Sequence, residues 1–139
     1  MGSAQLASPS MVNINEYLAT ARGRIDRVLP DYLDDEMEEG ALVVDIRPEA
    51  DRLEHGVLPG AEIIERNVLE WRLAPSSEHR SHEVEDRKVI LFCNDGYASS
   101  LAAAALRDVG VEGASDLVGG FNAYKEHKTK DQSQASGED

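Results

Sequence analysis

The sequence predicts an α/β sheet with helices on both faces, and three observations carry that prediction. Short apolar runs around Val43, Ile63, Ile90 and Leu117 alternate with stretches of helical periodicity, as when strands and helices take turns along a chain. The run Val89, Ile90, Leu91, Phe92 is apolar without a break, as in a parallel strand covered on both faces. It leads into the alanine-rich stretch Leu101 to Leu106, which suits a helix packed close to a strand. The 139 residues are enough for one compact domain with a sizeable core and too few for two comfortable ones.

Residues 1–12 read as a flexible N-terminus; the first ten, MGSAQLASPS, are small and polar, like an expression leader, and stand outside the fold. Asn13 and Glu16 form a capping-box pair, and Ile14, Tyr17, Leu18, Ala21 and Ile25 then recur at helical spacing, predicting an amphipathic helix packed on the domain. Arg27-Val28-Leu29 suits a short edge strand. Pro30 fits the first position of a second helix through Tyr32, Leu33 and Met37, which Gly40 stops. The acids crowding it (Asp31, Asp34, Asp35, Glu36, Glu38, Glu39) read as a solvated face near a helix amino end, not as a metal site or docking patch.

Leu42, Val43, Val44 and Ile46 form the next predicted strand, and Glu62-Ile63-Ile64 another. A short helix beginning near Asn67 would carry Leu69 and Trp71 on its apolar face, with Trp71 as core or rim packing. Ser76 to Lys88 is a polar connector to the Val89–Phe92 strand. Asp116-Leu117-Val118 forms the last strand. Residues 127–139 have the composition of a disordered tail, leaving 13–126 as the single domain.

The lone cysteine, Cys93, falls where the buried strand ends and a loop leads to the helix. Unpaired N–H groups and the positive dipole end at a helix amino terminus favour an anion, and a thiolate or persulfide is one. Such positions lower cysteine pKa values from about 8.5 in free thiols, so Cys93 is a candidate nucleophile. Position alone weighs this evenly against an inert core cysteine.

One cysteine excludes an intrachain disulfide framework and points to a cytoplasmic protein with a reduced thiol. No run approaches the roughly 18 apolar residues of a membrane span. With 27 acidic against 14 basic residues the formal charge is −13, a surface that repels nucleic-acid phosphates and anionic membranes; neither is expected as a partner. Long-range attraction would not bring in small anionic substrates either.

Four segments in order carry a family resemblance. Cys93-Asn94-Asp95-Gly96-Tyr97-Ala98, followed by Ser99-Ser100, resembles the active-site loop of the rhodanese-like sulfurtransferases. Asp45-Ile46-Arg47 resembles that family's Asp-x-Arg strand end. His55-Gly56-Val57-Leu58-Pro59-Gly60-Ala61 resembles its His-x-x-x-Pro-Gly-Ala segment, and Gly119-Gly120-Phe121-Asn122-Ala123-Tyr124 its closing motif. Together they cover residues 41 to about 126.

The resemblance implies a rhodanese-like α/β fold of about five mostly parallel strands. It also implies a sulfurtransferase that carries sulfane sulfur as a persulfide on Cys93, without metal or organic cofactor. Its partners would be a small sulfur donor and acceptor, or a protein persulfide or thiol. Asn94, Asp95, Gly96, Tyr97, Ala98 and Ser99 would form the substrate-binding loop, whose backbone N–H groups face the outer sulfur; Gly96 permits the tight curl. Asp45 and Arg47 would support the site, Arg47 either electrostatically or, as position favours, as a structural brace with Asp45. His55 is expected to be a hydrogen-bonded turn histidine and not a general base. His79 and His82, in a polar connector with no nearby cysteine, do not suggest a zinc site.

Many thiosulfate-using members carry Arg where this chain has Ala98, and such a charge-assisted pair contributes about 1.5–3 kcal/mol. Here the loop has no cation and adds Asp95, so a persulfide or protein donor is favoured over thiosulfate. The competing reading from another class is a catalytically quiet rhodanese-like module that binds a partner or senses oxidants through Cys93. A phosphatase, as in related folds, is disfavoured: the sixth residue after Cys93 is Ser99, and no Arg follows until Arg107.

Overall fold

The computed structural model describes residues 11–137. The chain runs α1 (Ile14–Arg22), β1 (Asp26–Val28), α2 (Pro30–Glu38), β2 (Leu42–Asp45), α3 (Glu49–His55), β3 (Glu62–Ile63), a single 3-10 turn (Arg66–Val68), α4 (Leu69–Leu73), β4 (Val89–Phe92), α5 (Ala98–Asp108), β5 (Ala114–Leu117) and α6 (Gly120–Gly137). The five strands form one sheet in the order β1-β5-β4-β2-β3, with every pairing parallel. β4 is therefore central, and β1 is an edge, as its short sequence run predicts.

Strand periodicity divides the core in two. Val89 and Leu91 join Leu42, Val44 and Ile46 on the face covered by α1, α4 and α5, while Ile90 and Phe92 join Val28, Val43 and Leu117 on the face toward α2 and α6. Small side chains let α5 approach the sheet: Ala102, Ala103 and Ala104 are buried in the first cluster. The capping box forms as predicted, Asn13 accepting from Glu16 N at 2.9 Å and Glu16 accepting from Asn13 N. Pro30 stands in the first turn of α2.

Four expectations change in the folded chain. Helix α1 presents only its last turn to the core: Ala21 is buried, whereas Ile14 and Tyr17 are exposed, because α1 is short and meets α5 near its carboxyl end. Trp71 is 62% exposed and so is not packed in the core; α4 turns Leu69 and Leu73 inward instead. Strand β5 begins earlier than its apolar run, at Ala114 and Ser115, since parallel neighbours bury small and polar side chains there as fully as Leu117. The tail expected to be disordered from residue 127 is helical as far as Gly137.

Tertiary contacts supply the nucleus of that last helix, after which each added residue costs little. Its first turn is fixed against the Cys93 loop. Tyr124 and Lys128 then both bond Asp34 on α2, at 2.7 and 2.8 Å. The flexible segment expected at the N-terminus lies, for residues 1–10, outside the described residues; Met11 and Val12 are exposed.

Candidate active site

Cys93 follows β4 directly, at the carboxyl edge of a parallel sheet, where open α/β sheets place their ligand crevices. Its side chain is partly exposed. The loop curls back so that Cys93 Sγ accepts from Gly96 N at 3.2 Å and from Ser99 N, in the first turn of α5, at 3.4 Å. Two backbone N–H groups thus point at the sulfur, an arrangement that favours a negative charge there.

The curl depends on glycine at two places. Gly96 has φ +88°, and a Cβ on it would meet Gly119 N at 2.8 Å. Gly120 has φ +66° and lies against the backbone of Cys93 and Asn94. From there the start of α6 holds the loop: Phe121 N donates to Cys93 O at 2.8 Å, Asn122 N to Asn94 O at 3.0 Å, and Asn122 Nδ2 to Asp95 Oδ1 at 2.8 Å. The closing motif and the cysteine loop are therefore one structure.

Asp45 and Arg47 are both 1% exposed. Arg47 grips Asp45 through Nε and Nη2 at 2.9 and 2.8 Å, reaches Asn94 Oδ1 through Nη1 at 3.1 Å, and donates to Gly56 O at 2.9 Å. Its guanidinium lies 4.4 Å from the centroid of Phe121 and 5.3 Å from that of Phe92. The cation is thus enclosed by the end of β2, the cysteine loop, the turn after α3 and the start of α6. His55 ends α3, and its carbonyl accepts from Lys125 Nζ; its ring lies 3.9 Å from Glu54 Oε2.

An open cleft of about 360 Å³ stands before Cys93, lined also by Ile46, Pro48, Asp51, Arg66, Tyr97 and Ala98. The sequence reading misses Arg66 and Asp51. Arg66 supplies a cation from outside the cysteine loop, and it is engaged by Glu70 at 2.7 Å. The sequence does carry a signal for Arg66: it follows β3 closely, and in a parallel sheet that end lies on the same edge as Cys93. A larger hollow of about 540 Å³, lined by Asp26, Lys88 and Gly113 among others, lies at the amino ends of the strands, away from the cysteine.

Behind the sulfur the Ser99 hydroxyl, expected only as part of the loop, joins a buried network that the sequence does not reveal. Ser99 Oγ is 3.5 Å from Cys93 Sγ and donates to Asp116 Oδ2 at 2.8 Å. Asp116, on β5, is fully buried and also accepts from Ser100 Oγ and from Arg27 Nε and Nη2. Arg22 and Arg27 both donate to Gly96 O, and Arg22 Nε to Ser100 Oγ. Among the described residues no buried side-chain polar atom lacks a partner.

Among solved structures, a Rhodopseudomonas palustris protein of unknown function, described as a possible tyrosine phosphatase, superposes with TM-score 0.77 at 25% identity over 85% of this chain and 92% of its own. The rhodanese homolog TT1651 of Thermus thermophilus is 32% identical, with TM-score 0.53, over 70% of this chain and 98% of its own. The human single-domain sulfurtransferase TSTD1 shares the fold at 24% identity and TM-score 0.61, over 72% of this chain and 95% of its own. No curated protein matches the sequence. No helix among the described residues is long and apolar enough to cross a membrane. The family model for the rhodanese-like domain matches residues 29–127, which hold the whole sheet except its edge strand β1 together with the complete cysteine loop, and the chain belongs to that family.

Proposed function

We propose that this protein is a sulfurtransferase that moves a sulfane sulfur from a persulfide- or thiosulfate-type donor to a thiophilic acceptor through a persulfide on Cys93. The Cys93 thiolate attacks the donor's outer sulfur. A new S–S bond forms, and the donor's own bond to that sulfur breaks with its electron pair leaving on the thiolate or sulfite. An acceptor nucleophile then attacks the outer sulfur and releases the Cys93 thiolate, a ping-pong cycle without net oxidation. The observation that carries this reading is the pair of N–H groups, Gly96 and Ser99, directed at Sγ beside an open cleft.

A persulfide-type donor fits better than thiosulfate. Asp51 lines the cleft with Asp95, Arg66 is paired with Glu70, and Arg47 is buried among its partners. A dianion would therefore meet two carboxylates and no unengaged guanidinium among the described lining residues.

The reduced protein is incubated separately with thiosulfate and with a low-molecular-weight persulfide, then weighed intact beside Cys93→Ser. A gain of one sulfur that cyanide removes and the variant lacks is expected, faster from the persulfide. No gain from either donor would favour the quiet binding or redox-sensing module, to which the acidic surface also points. The phosphatase reading, favoured by the likeness to the R. palustris structure, has little support at the loop. Arg107 is spent on Ala114 O and Asp26 at the far end of α5. Turnover of a phosphotyrosine substrate that is lost in Cys93→Ser would reverse that judgement.

A further inference from the structure

The hydroxyl of Ser99 has one proton to give and two neighbours able to take it. It donates to Asp116 Oδ2 at 2.8 Å, and its oxygen faces Cys93 Sγ at 3.5 Å. A thiol can donate to that oxygen while the hydroxyl proton stays on Asp116, whereas a thiolate has nothing to donate and can only accept.

We propose that Ser99 is a rotating hydrogen-bond switch for the Cys93 sulfur, with Asp116 as its acceptor in the thiol state. When Cys93 ionises, its proton leaves to solvent through the open cleft, and the Ser99 hydroxyl turns from Asp116 to donate to the sulfur. This deepens the sulfurtransferase reading and rests on Cys93 as its nucleophile.

Asp116 makes the rotation inexpensive. It is fully buried, so losing its last partner would be costly, but Arg27 contacts both its oxygens (2.8 Å to Oδ1, 3.2 Å to Oδ2) and Ser100 donates to Oδ2 at 2.8 Å. When Ser99 turns away the carboxylate keeps an ion pair and a hydroxyl. Asp116 and Arg27 act through Ser99 and are positioning residues; Ser99 touches the reacting atom.

The charges around the sulfur come from several elements. Asp116 and Arg27 lie behind it on β5 and β1, with Arg22 of α1 against the carbonyl of Gly96. In front, Asp51 of α3 and Arg66 after β3 line the cleft with the loop's own Asp95 and Tyr97. Arg47 and Asp45 close the side toward β2, bound to each other. Replacing Ser99 leaves all of these charges in place, so a change in the ionisation of Cys93 on its removal reports the hydroxyl.

The test is the rate of Cys93 alkylation by iodoacetamide against pH, which reads the thiolate directly and needs no sulfur transfer. Ser99→Ala is compared with wild type and with Ser115→Ala. Ser115 is also a fully buried serine, bonded only to Val89 O, and is remote from the sulfur in the bonding network. The expected result is a Ser99→Ala profile displaced upward by a few tenths of a pH unit to about one, because the bond to the thiolate is gained against the loss of one of the bonds to Asp116, with Ser115→Ala superposing on wild type. A Ser99→Ala profile on top of the wild-type curve would overturn the switch. So would an equal displacement in Ser115→Ala, which would assign the effect to packing. If the sulfur-loading experiment fails while this displacement appears, the transfer reading falls and the switch stands.

Discussion

Gly120 lies so close to Cys93 that a Cβ on the glycine would sit 2.5 Å from the Cys93 carbonyl oxygen and equally near the carbonyl of Asn94. The next amide, Phe121 N, donates to that same Cys93 oxygen at 2.8 Å. The loop that aims the sulfur is thus seated on the first turn of α6.

Gly120→Ala should therefore push the cysteine loop off its seat. The residue also has φ +66°, disfavoured for any side chain, and the obstructing atoms are backbone that cannot rotate aside. The expected cost is about 2 kcal/mol or more, with loss of sulfur loading in the protein that remains folded. Urea unfolding with intact-mass measurement checks both; wild-type stability and loading together would refute the seat.

Arg47 gives a graded prediction. Arg47→Met leaves Asp45 buried without its ion-pair partner, a change that costs about 3–5 kcal/mol. Arg47→Lys keeps the charge but cannot hold Asp45 with two bonds while reaching Asn94 and Gly56, so it should fall between wild type and Met. The order of the urea midpoints is the measurement. Lys equal to wild type would mean that the forked geometry contributes nothing.

Ala98→Arg should raise thiosulfate use. Ala98 is exposed and lines the cleft, so an arginine there has room to meet an anionic donor. A charge-assisted bond of about 1.5–3 kcal/mol corresponds to roughly 10- to 150-fold in kcat/KM for thiosulfate. A persulfide donor should gain far less. Equal gains for both donors would show that the cation acts on the cysteine and not on thiosulfate.

The contact between α2 and α6 should depend on pH at both ends of the scale. The bond from Lys128 holds the Asp34 carboxyl below its ordinary value, with a further contribution from Tyr124, and Asp34 in turn raises Lys128 above its own. Burial, followed by the bond to Asp34, raises the Tyr124 phenol. A depressed carboxyl contributes stability above its unfolded pKa, about 4, and loses it as pH falls through the folded value. The raised lysine and phenol contribute below about 10 and lose it as pH rises through their folded values. Asp34→Asn should thus lower stability by no more than about 1 kcal/mol near neutrality, because Asp34 and Lys128 are each close to half exposed and screened by solvent. The gap to wild type should narrow toward about pH 3 and again above about pH 10 in urea titrations. A gap constant with pH would mean that the pair is not coupled to folding.

Much of this protein is legible in the chain itself. The alternation of apolar runs with helical periodicity gives the α/β sheet, and the unbroken Val89–Phe92 run gives its central strand, because a strand covered on both faces needs apolar residues at every position. The capping pair Asn13 and Glu16, Pro30 and the cysteine loop are readable for a similar reason: each is a local rule joining residues a few positions apart.

Tertiary structure decided what depends on neighbours distant in sequence. Asp116 and Arg27 read only as members of two short strands until parallel pairing of β1, β5 and β4 brings them behind Cys93. Arg66 enters the cleft because β3 ends on the same edge of the sheet as β4. Trp71 faces outward although its composition favours burial, since only the orientation of α4 on the core selects which apolar side chains are covered. Helix α6 continues past residue 127 because Asp34, far back in the chain, binds it. Local pattern fixes what a segment becomes; what surrounds a given side chain is set by packing, which no single segment encodes.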